Sequence, residues 1–237
     1  MESVNKIHFL NSPYPNGHQL TAFIWRGRID EDESVWFDFH LKSENYYAEE
    51  EEEENNDDFD ESENEDISSW DSKIVWDNYL ACTLSSIYWG EGGGIRIDNS
   101  GEKIDLDKVI QNDLYTNDLP SENDFDEDDL AFGIYLLGHD SCANHRIKFS
   151  KKENHSYDIE WTGKIALTYS GDDEFSHEFT ASIKNAEFDG FHYPKTWSVE
   201  KATEVFQSKL AYFEDYEFVD LNPKSNKREY KLNKINK

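Results

Sequence analysis

Residues Tyr157 to Lys184 read YDIEWTGKIALTYSGDDEFSHEFTASIK, and their pattern decides the fold class. Ile159, Trp161, Ile165, Leu167 and Tyr169 are bulky and mostly spaced by two, the period of a half-buried strand. Ser170-Gly171-Asp172-Asp173 interrupts the run with residues that turn the chain at little cost. Phe175, Phe179 and Ile183 resume it on the far side. The stretch predicts an antiparallel hairpin with one apolar face, which has to be covered by another layer. The expected fold class is α+β, mostly antiparallel β: a twisted sheet or two-sheet sandwich with a C-terminal helix and one short internal helix.

A second hairpin of the same kind is expected at Leu20 to Ile29 and Val35 to Leu41. Its segment Trp25-Arg26-Gly27-Arg28-Ile29 matches Trp161-Thr162-Gly163-Lys164-Ile165 as W-x-G-[R/K]-I. Each copy precedes an acidic turn and an aromatic strand. Glycine inside a strand permits close approach of a neighbour. The single expected domain, 1–237, therefore divides into two similar halves within 1–45 and 130–195.

Other elements follow from local pattern. Ile7 to Leu10, Ile95 to Ile97, Leu130 to Leu137, His145 to Phe149 and Ala186 to Tyr193 predict strands, the last of them at a sheet edge. Ser68 to Tyr88 fits both periods and is assigned to strand because its surroundings are β-rich. Asp105 caps a short helix carrying Leu106, Val109, Ile110 and Leu114 on one side. From Ser198 to Phe213 the spacing of Val199, Ala202, Phe206, Leu210 and Phe213 gives one helical face, with Ser198 as its cap.

Composition bounds the function. Aromatic residues make up 15% of the 237 and supply core area despite an apolar share of only 36%. Against 23 basic residues stand 52 acidic ones, a formal charge of −29. Such a surface repels nucleic acid and anionic membranes and attracts basic proteins. Thirteen of the eighteen residues 49–66 are acidic, so this segment is expected to be a disordered insertion; with it removed, the −29 falls only to −16. Pro120 to Asp129 reads as a second acidic loop. Residues 222–237 carry six basic residues and one acid, and predict a flexible basic tail lying back over the acidic body.

The opening MESVNKIHFL lacks the basic end, apolar run and cleavage site of a secretory signal. No apolar run approaches the roughly 20 residues of a membrane helix. Two cysteines fit a reducing compartment, and the expected location is cytoplasmic.

No motif assigns a catalytic residue or a cofactor, and an enzyme is not expected. His139, Cys142 and His145 are spaced as metal ligands could be, but match no established zinc pattern. Asp124-Phe125-Asp126-Glu127-Asp128 begins like a calcium loop, then has Asp129 where glycine belongs and Tyr135 where the closing glutamate belongs. The expected function is that of an acidic bacterial inhibitor, an immunity protein neutralising a basic toxin such as a nuclease by charge complementarity. The alternatives are a DNA-mimic anti-defence protein of a phage or mobile element, and a metal-dependent enzyme of unrecognised type. The expected contact residues are Glu49, Glu50, Glu51, Asp57 and Asp58 of the first acidic run, Asp124, Asp126, Asp128 and Asp129 of the second, and Asp172 and Asp173 in the hairpin turn. The expected partner is a basic protein, a toxin or nucleic-acid enzyme, with no direct nucleic-acid or membrane contact.

Overall fold

The computed structural model describes residues 5–48, 68–88, 93–116, 119, 129–226 and 228–235. In chain order the strands are β1 (Lys6–Phe9), β2 (His18–Ile29), β3 (Val35–Ser43), β4 (Thr83–Ser85), β5 (Ile95–Arg96), β6 (Leu114–Thr116), β7 (Gly133–Tyr135), β8 (His139–Lys151), β9 (Tyr157–Ala166), β10 (His177–Ala186), β11 (Phe188–His192), β12 (Tyr216–Asp220) and β13 (Tyr230–Lys234). The helices are α1 (Lys73–Asp77), α2 (Leu106–Val109) and α3 (Val199–Lys209).

The expected twisted sheet or sandwich with a C-terminal helix is corrected to a closed barrel. Strands β2, β1, β10, β9, β8, β7, β4 and β3 pair in that order, and β3 pairs back to β2, giving an eight-stranded antiparallel ring. The closing ladder runs from Leu20↔Ser43 to Ile29↔Val35. A sandwich and a barrel of this size both have one apolar face per strand; what separates them is whether the edge strands meet. Here they do, and the ring itself has no free edge, although β12 ends the extension beyond it.

Eight strands enclose a space that side chains can fill. Trp25 and Trp161 occupy it from the two hairpins, both fully buried. Phe39 lies between them, parallel to Trp25 with ring centroids 6.4 Å apart and tilted against Trp161 at 5.6 Å. Phe149 and Tyr157 complete the packing around Trp25, and Phe132 and Phe179 that around Trp161. The outward residues of β8 to β10 include Lys148, Glu160, Lys164, Glu178 and Thr180. An apolar inside and a charged outside is the reverse of a lipid-facing barrel. Among the described residues no helix is long and apolar enough to cross a membrane.

The two W-x-G-[R/K]-I segments do equivalent work. Gly163 stands opposite Phe179 and Gly27 opposite Phe37 in their ladders. A Cβ at Gly163 would lie 2.6 Å from the Phe179 ring and 2.7 Å from His145 Nδ1, and one at Gly27 would penetrate the ring of Phe191. Each glycine makes room for a phenylalanine: Gly163 for Phe179 beside Trp161, and Gly27 for Phe191 of the second layer. The basic residue of each motif points outward to an acid: Lys164 to Glu178 at 3.3 Å, and Arg28 to Asp38 at 3.1 Å.

A second layer covers the end of the barrel marked by the β2–β3 turn. Strand β11 pairs in parallel with β2, and β13 and β12 extend from it. Helix α3 sits on this extension, burying Ala202, Val205 and Phe206 against Ile29, Val35, Phe191 and Leu232. Ser198 Oγ caps α3 by accepting from Lys201 N, as its sequence predicts. The helix stops at Lys209 rather than Phe213. Leu210 turns extended and bridges Ile104, whose N–H donates to the Lys209 carbonyl at 2.7 Å.

Three further expectations are corrected. Residues 73–77 form α1 and not a strand, with Trp76 buried and Ile74 exposed. Strand β11 is interior to the extension, between β2 and β13, rather than at an edge. The basic tail contains β13, with Leu232 fully buried, and its lysines do return to the acidic body: Lys231 to Asp189 at 2.5 Å and Lys234 to Asp107 at 2.8 Å.

Gly27→Ala should destabilise the fold by about 1–3 kcal/mol through overpacking against Phe191, while Thr162→Ala on the outward face should change it by under about 0.5 kcal/mol. Urea unfolding of both variants measures this, and a Gly27→Ala protein as stable as the parent would contradict the packing.

Candidate interaction surface

At the end of the barrel opposite the second layer, the chain reverses in the β1–β2 loop (10–17), the β7–β8 turn (136–138) and the β9–β10 connection (167–176). Segments 44–48 and 68–82 meet there too. A plug closes this end. Trp76, on α1, packs its ring 4.9 Å from Tyr46, 5.3 Å from Phe9 and 5.4 Å from Trp70. The polar edges of the plug are all used, as buried indoles and phenols require. Trp70 Nε1 donates to the Leu10 carbonyl at 3.0 Å, Trp76 Nε1 to that of Trp70 at 2.8 Å, and Tyr46 Oη to that of Leu136 at 3.1 Å. His177 stacks flat on Trp70, with ring centroids 3.9 Å apart.

The plug fixes where the first acidic run leaves the body. Tyr46 and Trp70 stand two residues from Ala48 and Ser68, the described residues on either side of 49–67. Glu49, Glu50, Glu51, Asp57 and Asp58 lie outside the described residues, as do Asp124, Asp126 and Asp128. Asp129 is exposed ahead of β7. Asp172 and Asp173 are exposed, with Glu174, in the β9–β10 connection at the plugged end. Asp172 Oδ1 accepts from Glu174 N at 3.1 Å, and Asp172 N donates to the Leu167 carbonyl at 3.2 Å, so the turn is fixed. The structure therefore puts the acidic turn and the roots of the first run at one end.

Aromatic side chains stand at the same end. Tyr169 packs on Gly138 of the β7–β8 turn. Tyr79 and Tyr135 approach to 6.2 Å, and Tyr135 and His139 to 5.4 Å. The Tyr79 phenol is pushed above its ordinary value, first by burial and then by Tyr169, Asp140 and Tyr135.

The candidate metal ligands are not gathered. A bulge between Ala143 and Arg146 turns both Cys142 and His145 inward, while His139 is exposed at the start of β8. The Cys142 thiol donates to the Phe132 carbonyl at 3.2 Å, and burial raises its pKa well above the ordinary thiol value. His145 Nδ1 accepts from Trp161 Nε1 at 3.2 Å inside the barrel. Among the described residues no three or more of His, Cys, Asp and Glu are placed to hold a metal ion.

One polar cluster escaped the sequence reading. On the outer wall Asp38 is fully buried between Arg26 at 3.4 Å and Arg28 at 3.1 Å, and accepts from Ser86 Oγ at 3.1 Å. Arg28 also reaches Asp30 and the Gly93 carbonyl. The signal was available: an aspartate in the middle of the apolar strand VWFDFHL, with the outward parity of Arg26 and Arg28 on the facing strand. Its role is to fix the loop after β4 to the wall, where loss of either charge would strand the other.

No protein-family model, characterised protein or solved structure matches this chain.

Buried imidazoles give the fold a pH dependence, His18 and His145 most strongly. Burial lowers His18 from 6.5 to about 4, with Lys6 and His8 adding to the effect, and burial lowers His145 to about 3. Both are held neutral in the fold, so protonation favours the unfolded chain. Their stabilisation is complete above pH 6.5 and is lost progressively as pH falls toward these values. Between pH 6.5 and 5.5, above the carboxylate range, these two should cost about 2 kcal/mol, and His40 and His177, also lowered chiefly by burial, add to the loss in the same direction. Urea unfolding at both values tests it: His145→Phe should remove about 1 kcal/mol of the loss, and an unchanged slope would contradict the assignment.

Proposed function

We propose that this is a bacterial, cytoplasmic binding protein that inhibits a basic partner, an immunity protein for a cationic toxin such as a nuclease, and that it docks the partner at the plugged end of the barrel. The observation that carries the reading is the convergence of charge at one end: the roots of the run 49–66 and the exposed turn Asp172-Asp173-Glu174 both stand there. Charge at one end steers a basic partner to a single orientation, which raises the association rate more than it lowers dissociation. The barrel, with its packed interior, serves as the rigid holder.

A folded DNA mimic would display uninterrupted carboxylate rows. On the outer wall of β8 to β10 acids and lysines instead stand opposite each other, Lys148 to Glu160 and Lys164 to Glu178. That arrangement favours the inhibitor over the mimic.

Titration of the full chain into purified basic nuclease domains tests the proposal. Binding should weaken at least about tenfold as salt rises from about 0.05 M to about 0.3 M, and combined Asp172→Asn and Asp173→Asn substitution should slow association while leaving unfolding unchanged. Absent or salt-insensitive binding across the panel would refute it.

A further inference from the structure

Charge brings a partner in, but tight contact needs rigid anchors that exclude water. The plugged end exposes four large apolar side chains: Leu10 at 57%, Ile74 at 68%, Leu80 at 64% and Tyr169 at 64%. Three of these sit on fixed backbone. Leu10 N donates to the Glu178 carbonyl while the Leu10 carbonyl holds Trp70, the Leu80 carbonyl accepts from Tyr46 N at 3.0 Å, and Tyr169 lies against Gly138. Side chains held this way lose little freedom on binding. Large exposed apolar groups at the same end of the barrel as an acidic turn mark that end as a contact surface.

Two places in the fold show what such a tyrosine binds. Arg146 lies 5.9 Å over the Tyr115 ring and pairs with Asp113, two residues from Tyr115, at 2.5 Å. Lys73 lies 5.9 Å over the Tyr14 ring, whose hydroxyl donates to Asp77 at 2.7 Å. Each joins a cation, a tyrosine face and an aspartate. Tyr169 has the aromatic ring and, three and four residues on, Asp172 and Asp173, but among the described residues no cation is placed over it.

We infer that Tyr169, with Asp172 and Asp173, receives an arginine side chain of the basic partner, while Leu10, Ile74 and Leu80 receive the apolar surface around it. The inference rests on the proposed binding of a basic protein and adds the residue type recognised. Arginine is preferred over lysine because its planar guanidinium stacks on the ring and spans a carboxylate at once, whereas an ammonium is a strongly hydrated point charge.

Calorimetric titration with nona-arginine and nona-lysine peptides separates this from simple charge attraction. At about 0.15 M salt, where attraction between exposed charges fades beyond about 8 Å, the full chain should prefer the arginine peptide. Tyr169→Ala should weaken that peptide about threefold and remove the preference, and Tyr169→Phe, which keeps the ring, should restore both. Equal binding of the two peptides, or a Tyr169→Ala protein that binds like the parent, would overturn the inference and leave the proposed function standing. Failure of both peptides to bind would overturn the two together. Thermal unfolding of the variants confirms that each is folded.

Discussion

The bore of the barrel is set by two tryptophans, and the rest of the structure accommodates them. Trp25 and Trp161 enter from the two long hairpins and share Phe39 between them. Gly163, two residues after Trp161, leaves space for Phe179 inside the ring, and Gly27, two residues after Trp25, leaves space for Phe191 where the second layer meets it. With the interior filled, closure follows, because every inward apolar face finds another across the bore. The ladder between β2 and β3 completes the ring and leaves no free edge at the join.

Closure separates the two ends, and they are used differently. At one end the β11–β13 extension and α3 form a second apolar core around Phe191 and Phe206. There the few lysines of the C-terminal region meet carboxylates one by one, as Lys234 meets Asp107 and Lys201 meets Glu33 at 2.7 Å. At the other end the Trp70 and Trp76 plug seals the bore with little chain, leaving the turns above it free to carry exposed tyrosines and acids. Several carboxylates of the second-layer end are paired with lysines, Asp107 and Glu33 among them, whereas among the described residues no lysine or arginine pairs with the turn Asp172-Asp173-Glu174. That division is the physical basis for assigning binding to the plugged end.

Much of this was legible in the sequence wherever strands were long. The alternation of Ile159, Trp161 and Ile165 fixes β9, the spacing after Ser198 fixes α3, and the two W-x-G-[R/K]-I segments point to the positions where glycine makes room for a ring. Closure was not legible, since it depends on β1, β4 and β7, three or four residues each. Runs that short carry no period, and a sandwich would show the same inward and outward alternation. Helix α1 was misread because Ile74 and Trp76 alternate as strand residues do, although one is exposed and the other buried. In β13 only Leu232 marks the core, and the surrounding lysines hid the strand. Of the candidate site, Asp172 and Asp173 were visible as a turn. Their meeting with Tyr169, Tyr79 and the plug was not, because it joins residues from four separate segments.

Hydrogen–deuterium exchange of the full chain, free and bound to a basic nuclease domain, tests the central claim that the plugged end is the binding surface. On binding, residues 10–17, 68–82, 136–138 and 167–176 should gain protection, with the β2–β3 turn and α3 unchanged. Protection confined to the β2–β3 turn and the second layer, with the plugged end unaffected, would contradict it.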